Sequence, residues 1–115
     1  MKRYKVRRAA DVTRDLDLIE DHLVRVYQDL GEDPGDAAER AAVRLGEALR
    51  YMRTFETYPH RGTEHPQIHP GLRTVTSRSF IFYFEVDEAS AEVSVLAVFF
   101  GGADHRRQIT DRLRH

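Results

Sequence analysis

The stretch AEVSVLAVFF, residues 91–100, limits the fold more than any other part of this chain. From Val93 it is almost continuously apolar, and it stops at Gly101 and Gly102. A strand of that composition needs cover on both faces, which places it centrally in a sheet with structure packed above and below. LRTVTSR (72–78) and FIFYFEVD (80–87) read as two more strands, rich in β-branched and aromatic residues. The connections are short, so the pairing is antiparallel. Ser77–Ser79 is a poor turn by composition, and Asp87–Ala91 is a better hairpin.

The first half of the chain supplies cover for one face. Val12, Leu16, Ile19, Leu23, Val26 and Leu30 recur at spacings of four and three, predicting a helix capped by Asp11 or Thr13. In GEDPGD, Gly31 suits a C-terminal cap, Asp33 an N-cap and Pro34 the first position of a second helix. That helix is expected to reach about Phe55, with Ala38, Ala41, Ala42, Leu45, Leu49, Met52 and Phe55 facing inward. Ahead of the hairpin, RYKVRR alternates as an edge strand does. Residues 58–71, with three prolines and three histidines, read as a loop. Asp104 is the expected cap of a short C-terminal helix carrying Ile109 and Leu113. The expected fold is α+β, one domain over 1–115: β-α-α-β-β-β, a three- or four-stranded mainly antiparallel sheet on a helical hairpin.

Composition narrows function. No window of about 18 apolar residues exists to span a bilayer. The basic segment MKRYKVRRAADV leads into no apolar stretch of about 7 to 15 residues, so no secretory signal is expected and the reading is cytoplasmic. Cysteine is absent, which removes disulfides, thiolate nucleophiles and Cys zinc ligands. The net charge of −1 hides an uneven spread: residues 11–36 hold nine acids against Arg14 and Arg25, while residues 1–8 and the tail are basic. A general polyanion binder is more basic than this.

Several residues look chemical on their own. His60, His65 and His69 lie in the proline-containing loop with only Glu64 nearby, too few ligands for a closed metal site, and are read as exposed. Adjacent Asp104 and His105 do not face each other on a helix, so they are read as an N-cap and an exposed histidine. Phe80, Phe82, Tyr83, Phe84, Phe99 and Phe100 can stack bases, but strand alternation makes core packing the default.

RDLDLIEDHL (14–23), YPHRGTEHPQIHPGLRTV (58–75), FIFYFEVD (80–87) and VSVLAVFFGGADH (93–105) together resemble the RelE/ParE family of toxins from type II toxin-antitoxin systems. The resemblance covers nearly the whole chain. It implies a small toxin held inactive by a cognate antitoxin, with either mRNA cleavage on the ribosome (RelE-like) or poisoning of DNA gyrase (ParE-like). Many relatives end the last strand with His-Gly-x-Arg-Asp, where this chain has Phe100, Gly101, Gly102, Ala103 and Asp104.

The missing imidazole and guanidinium matter, because positioned acid-base groups contribute roughly 100- to 10,000-fold each to RNA cleavage. Phenylalanine supplies neither role. The expectation is therefore a ParE-like, non-enzymatic gyrase inhibitor, with no catalytic residue, metal or cofactor. Its binding candidates are Arg61, Arg73, Arg78, Arg106, Arg107 and Arg112, the last three on a tail amphipathic through Ile109 and Leu113. Arg61 and Arg73 match family positions and have a structural alternative, binding backbone carbonyls or acids to lock the loop. The competing expectations are a RelE-like endoribonuclease using Arg61, Arg73, Arg78 and Tyr83, and a family member that has lost toxicity. A homodimer or a toxin-antitoxin hetero-oligomer is compatible with either.

Overall fold

A computed structural model describes residues 2–102 and 104–114. The elements in chain order are β1 (Lys5–Arg8), α1 (Ala10–Asp29), α2 (Pro34–Arg53), a 3-10 turn (Thr54–Glu56), β2 (Thr63–Glu64), β3 (Leu72–Ser77), β4 (Phe80–Asp87), β5 (Glu92–Phe100) and α3 (His105–Leu113). The sheet has five strands in the order β1-β5-β4-β3-β2. β5 lies inside it, as its apolar run requires. β1 pairs with β5 in parallel, and every other pairing is antiparallel.

The additional strand corrects the loop reading of 58–71. Thr63 and Glu64 pair with Thr74 and Arg73, a segment too short to carry any periodicity. Gly62 makes the pairing possible: at φ +82°, a Cβ there would lie 2.1 Å from the Thr74 carbonyl oxygen.

Helix ends follow local chemistry. Gly31 (φ +103°) closes α1, with Gly31 N–H on the Gln28 carbonyl at 2.9 Å and Glu32 N–H on the Tyr27 carbonyl at 3.1 Å. Those two bonds are a Schellman cap. The Asp33 carboxylate accepts from the Asp36 N–H at 3.0 Å, starting α2 at Pro34. At the start of α1, neither Asp11 nor Thr13 caps. Ala9 is still bonded to β5 through Val95 (2.9 Å), so the helix begins at once from the strand.

The buried stripe of α2 is Ala37, Ala41, Leu45, Ala48 and Met52, while Ala38, Ala42 and Leu49 are exposed. Leu30, expected at the end of the α1 stripe, is 73% exposed, and Tyr27 is buried. The hairpin packs on a sheet face built from Phe80, Phe82, Phe84, Val93, Val95 and Val98. Phe55 stacks on Phe84 at 4.5 Å between ring centroids. Each such ring contributes roughly 1.5 to 3 kcal/mol by leaving water.

A second core occupies the opposite face: Leu72, Ile81, Tyr83, Ala97 and Phe99, closed by Ile109 of α3. No helix among the described residues is long and apolar enough to cross a membrane.

Candidate functional site

The second sheet face brings polar chemistry together beneath α3. In register, Thr74 of β3 lies beside Tyr83 of β4, and Tyr83 beside Ala97 of β5. Alternation turns Tyr83 away from the helical hairpin while Phe82 and Phe84 face it. Its ring is fully buried, and its hydroxyl lies 2.7 Å from Nδ1 of His105. His65 leans over the same strands, its Nε2 2.6 Å from Thr74 Oγ1 and its ring 6.4 Å from that of Tyr83.

Electrostatics set the protonation states. Burial pushes the His65 imidazole down, and the positive charge of Arg106 adds to this. Burial pushes the Tyr83 phenol up, against the opposing pull of Arg106. A neutral imidazole and a neutral phenol therefore face each other at pH 7. The cluster contains groups able to take and give protons, but α3 closes over them.

A second polar constellation holds α3 in place. β1 stops pairing at Val95, leaving the outer edge of β5 bare from Leu96 onward. Tyr83 pairs with Ala97 and Phe84 with Val95, so Leu96 is an extra residue, a β-bulge. Asp15 of α1 fills the gap by accepting the Val98 N–H at 3.0 Å. Arg112 binds both Asp15 oxygens and the Leu96 carbonyl (3.2 Å). The bond to Asp15 raises the Arg112 guanidinium further above its ordinary range. A groove of about 510 Å³ runs alongside, between Leu18, Ile19 and His22 of α1 and Phe99 and Phe100.

The six arginines expected to bind a target do not share one surface. Arg61 donates to the carbonyls of Tyr58 (2.9 Å) and Thr54 (3.5 Å) and lies over the Tyr51, Phe55 and Tyr58 rings. Arg73 donates to the His60 and Arg61 carbonyls, each at 3.3 Å, and to Glu64 at 2.8 Å. Both occupy the loop-locking role. Arg112 is the clamp just described. Arg78 sits at the β3–β4 hairpin tip, paired with Glu47 at 2.8 Å and largely exposed. Arg106 and Arg107 are exposed on α3.

Two histidine readings change, and a third gains a partner. His65 is buried at 6% exposure, since its loop folds back onto β3. His105 is half-buried against Tyr83. His60 is exposed but paired with Glu88. Asp104 stands at the N-cap position without a side-chain bond, because its left-handed φ of 59° replaces the extended backbone that capping needs. The Tyr83–His105 contact had one sequence signal, the period of β4. His65 had none, because the loop's path decides it. Among the described residues, no group of three or more His, Asp or Glu is placed to hold a metal ion.

No family model matches the chain, and no curated protein matches it in sequence. Solved structures do match in fold. A chain of the chromosomal ParDE TA system from P. aeruginosa superposes with a TM-score of 0.67 at 21% identity, over 86% of this chain and 97% of that one. A chain of the toxin-antitoxin complex RelBE2 from Mycobacterium tuberculosis gives a TM-score of 0.57 at 14% identity, over 85% and 98%. The chain therefore has the RelE/ParE-like fold, an α+β arrangement it shares over nearly the full length of these toxin-antitoxin proteins.

Proposed function

We propose that this chain is the toxin of a type II toxin-antitoxin pair, neutralised by a cognate antitoxin, and that it acts ParE-like by contact with DNA gyrase. The fold shared with ParDE and RelBE2 chains supports the first half of this reading. The observation that carries the second half is the engagement of the cationic groups. Arg61, Arg73 and Arg112 are bound to carbonyls and carboxylates, and Tyr83 lies fully buried under α3. A nuclease needs cations and proton donors open to a phosphate at the moment its charge develops. The exposed guanidinium groups of α3, Arg106 and Arg107, are surface groups suited to protein contact.

One observation favours RelE-like mRNA cleavage as the second reading: His65, Tyr83, His105 and Arg106 gather on one sheet face. Paired supercoiling assays on purified gyrase and primer extension on ribosome-bound mRNA separate the two. The expected result is gyrase inhibition that Arg106→Glu with Arg107→Glu abolishes. Cleavage of translating mRNA that Tyr83→Phe or His105→Asn removes would replace this reading with the second, and unaffected growth on expression would remove toxicity altogether.

A further inference from the structure

α3 spans nine residues, short of the length at which a helix persists alone in water. Its order depends on what it rests against. Ile109 is fully buried beside Leu72, Ile81, Ala97 and Phe99. Arg112 clasps Asp15. The remaining contact, His105 on Tyr83, differs in kind because the same phenol ring has a second imidazole, His65, 6.4 Å away.

Among the described residues, no carboxylate lies within ion-pair distance of either imidazole; Asp104 precedes His105 in the chain without pairing to it. Facing His65 are Gln67 from its own loop, Thr74 from β3, Tyr83 from β4, and His105 and Arg106 from α3. The carboxylates nearby in the fold are engaged elsewhere: Asp15 and Asp11 with Arg112, Glu64 with Arg73, Glu85 with His69. Among the described residues, the histidines within ion-pair distance of a carboxylate are His60 and His69. A proton placed on the buried His65 therefore meets the Arg106 guanidinium, with little water at the imidazole to screen it.

We infer that the buried His65 makes the docking of α3 acid-labile: the helix lies on the sheet at neutral pH and lifts as this imidazole protonates, uncovering Leu72, Tyr83, Ala97 and Phe99. This lability is independent of which target the chain acts on. The sign follows from the burial of His65 together with the Arg106 charge that α3 holds near it when docked, both of which favour its neutral form. The lifted state binds the proton better, so acid favours lifting. Below about pH 6.5 the docking equilibrium falls by up to roughly tenfold per pH unit while His65 takes up its proton.

The absence of native cysteine makes the test direct, because one introduced thiol is the only one present. Ala97→Cys places it under α3, and Ala48→Cys places it between the hairpin and the sheet as a control. Labelling by a disulfide reagent active in acid, normalised to a free thiol peptide, reports each opening. Between about pH 7.5 and 5.5 the protection at position 97 should fall severalfold, up to roughly tenfold, while that at 48 holds. His65→Gln with His105→Asn keeps a polar atom near each bonded nitrogen and should flatten the response; if that pair does not fold, His65→Gln alone should flatten it. If Ala97→Cys does not fold, Ile109→Cys reads the same opening from the helix side. Protection at 97 that stays flat, falls in step with 48, or still falls in the His-substituted chain overturns the inference.

Discussion

Arg112 holds Asp15 through both carboxylate oxygens, with Nη2 2.7 Å from Oδ1 and Nη1 2.8 Å from Oδ2, joining the last helix to the first. Asp15 is 7% exposed and also carries the Val98 N–H, so removing the guanidinium strands a buried charge. Arg112→Ala should lower stability by about 2 to 4 kcal/mol, below the full range for a buried pair because Arg112 keeps a quarter of its surface. A double-mutant cycle with Asp15→Asn in urea denaturation measures the coupling. Additive losses would mean the pair is a bystander.

The β3–β4 hairpin turns at Arg78 (φ 50°) and Ser79 (φ 72°), between the paired residues Ser77 and Phe80. Both central residues are left-handed, as in a type I′ turn, where Asn and Gly are the relaxed choices. Ser79→Gly should therefore stabilise the fold by about 1 kcal/mol. A raised thermal midpoint at unchanged heat-capacity increment is the expected reading, and a lowered one would show that the hydroxyl matters more than the backbone.

Gly62 meets the opposite constraint. A methyl group there collides with the Thr74 carbonyl, and the residue is left-handed as well. Gly62→Ala should cost about 2 kcal/mol or more and detach β2. Amide exchange at Thr63 and Glu64 should rise well beyond that of β4. Equal protection in both proteins would show that the loop accommodates the methyl group without leaving β3.

Tyr83 gives the fold an alkaline limit. Burial raises its phenol, so the neutral form belongs to the folded state. Its contribution is full below about pH 10 and is lost as pH rises through the folded value. In Tyr83→Phe the fall in stability above about pH 10 should be shallower than in the parent, with Tyr4, also raised by its bond to Glu88, supplying part of what remains. Identical alkaline slopes would place the titration elsewhere.

Elements whose causes are local could be read from the chain itself. Gly31, Asp33 and Pro34 mark a helix boundary by their own backbone and side-chain chemistry, and the apolar run of β5 states its own burial. Features decided by distant partners could not. Ala37 and Ala48 are buried in place of Ala38 and Leu49 because the crossing against α1 sets which alanines make contact. β2 exists only because Gly62 lets a loop approach β3. The site shows the same division. Strand alternation separates Tyr83 from Phe82 and Phe84, whereas the burial of His65 and the engagement of Arg61 and Arg73 depend on the path of their loop, and that of Arg112 on an acid 97 residues away. Cationic residues in a sequence reveal charge but not whether that charge is already neutralised.

The parallel pairing of β1 with β5 bears on synthesis. β1 leaves the ribosome ahead of the helical hairpin, and its sheet neighbour β5 follows only after β4, with Lys5 opposite Glu92. Until then the nascent hairpin of α1 and α2 has no sheet to cover its apolar side. Such a chain completes this sheet only once β5 has been made, which leaves an interval in which chaperones or an already made binding protein can reach it.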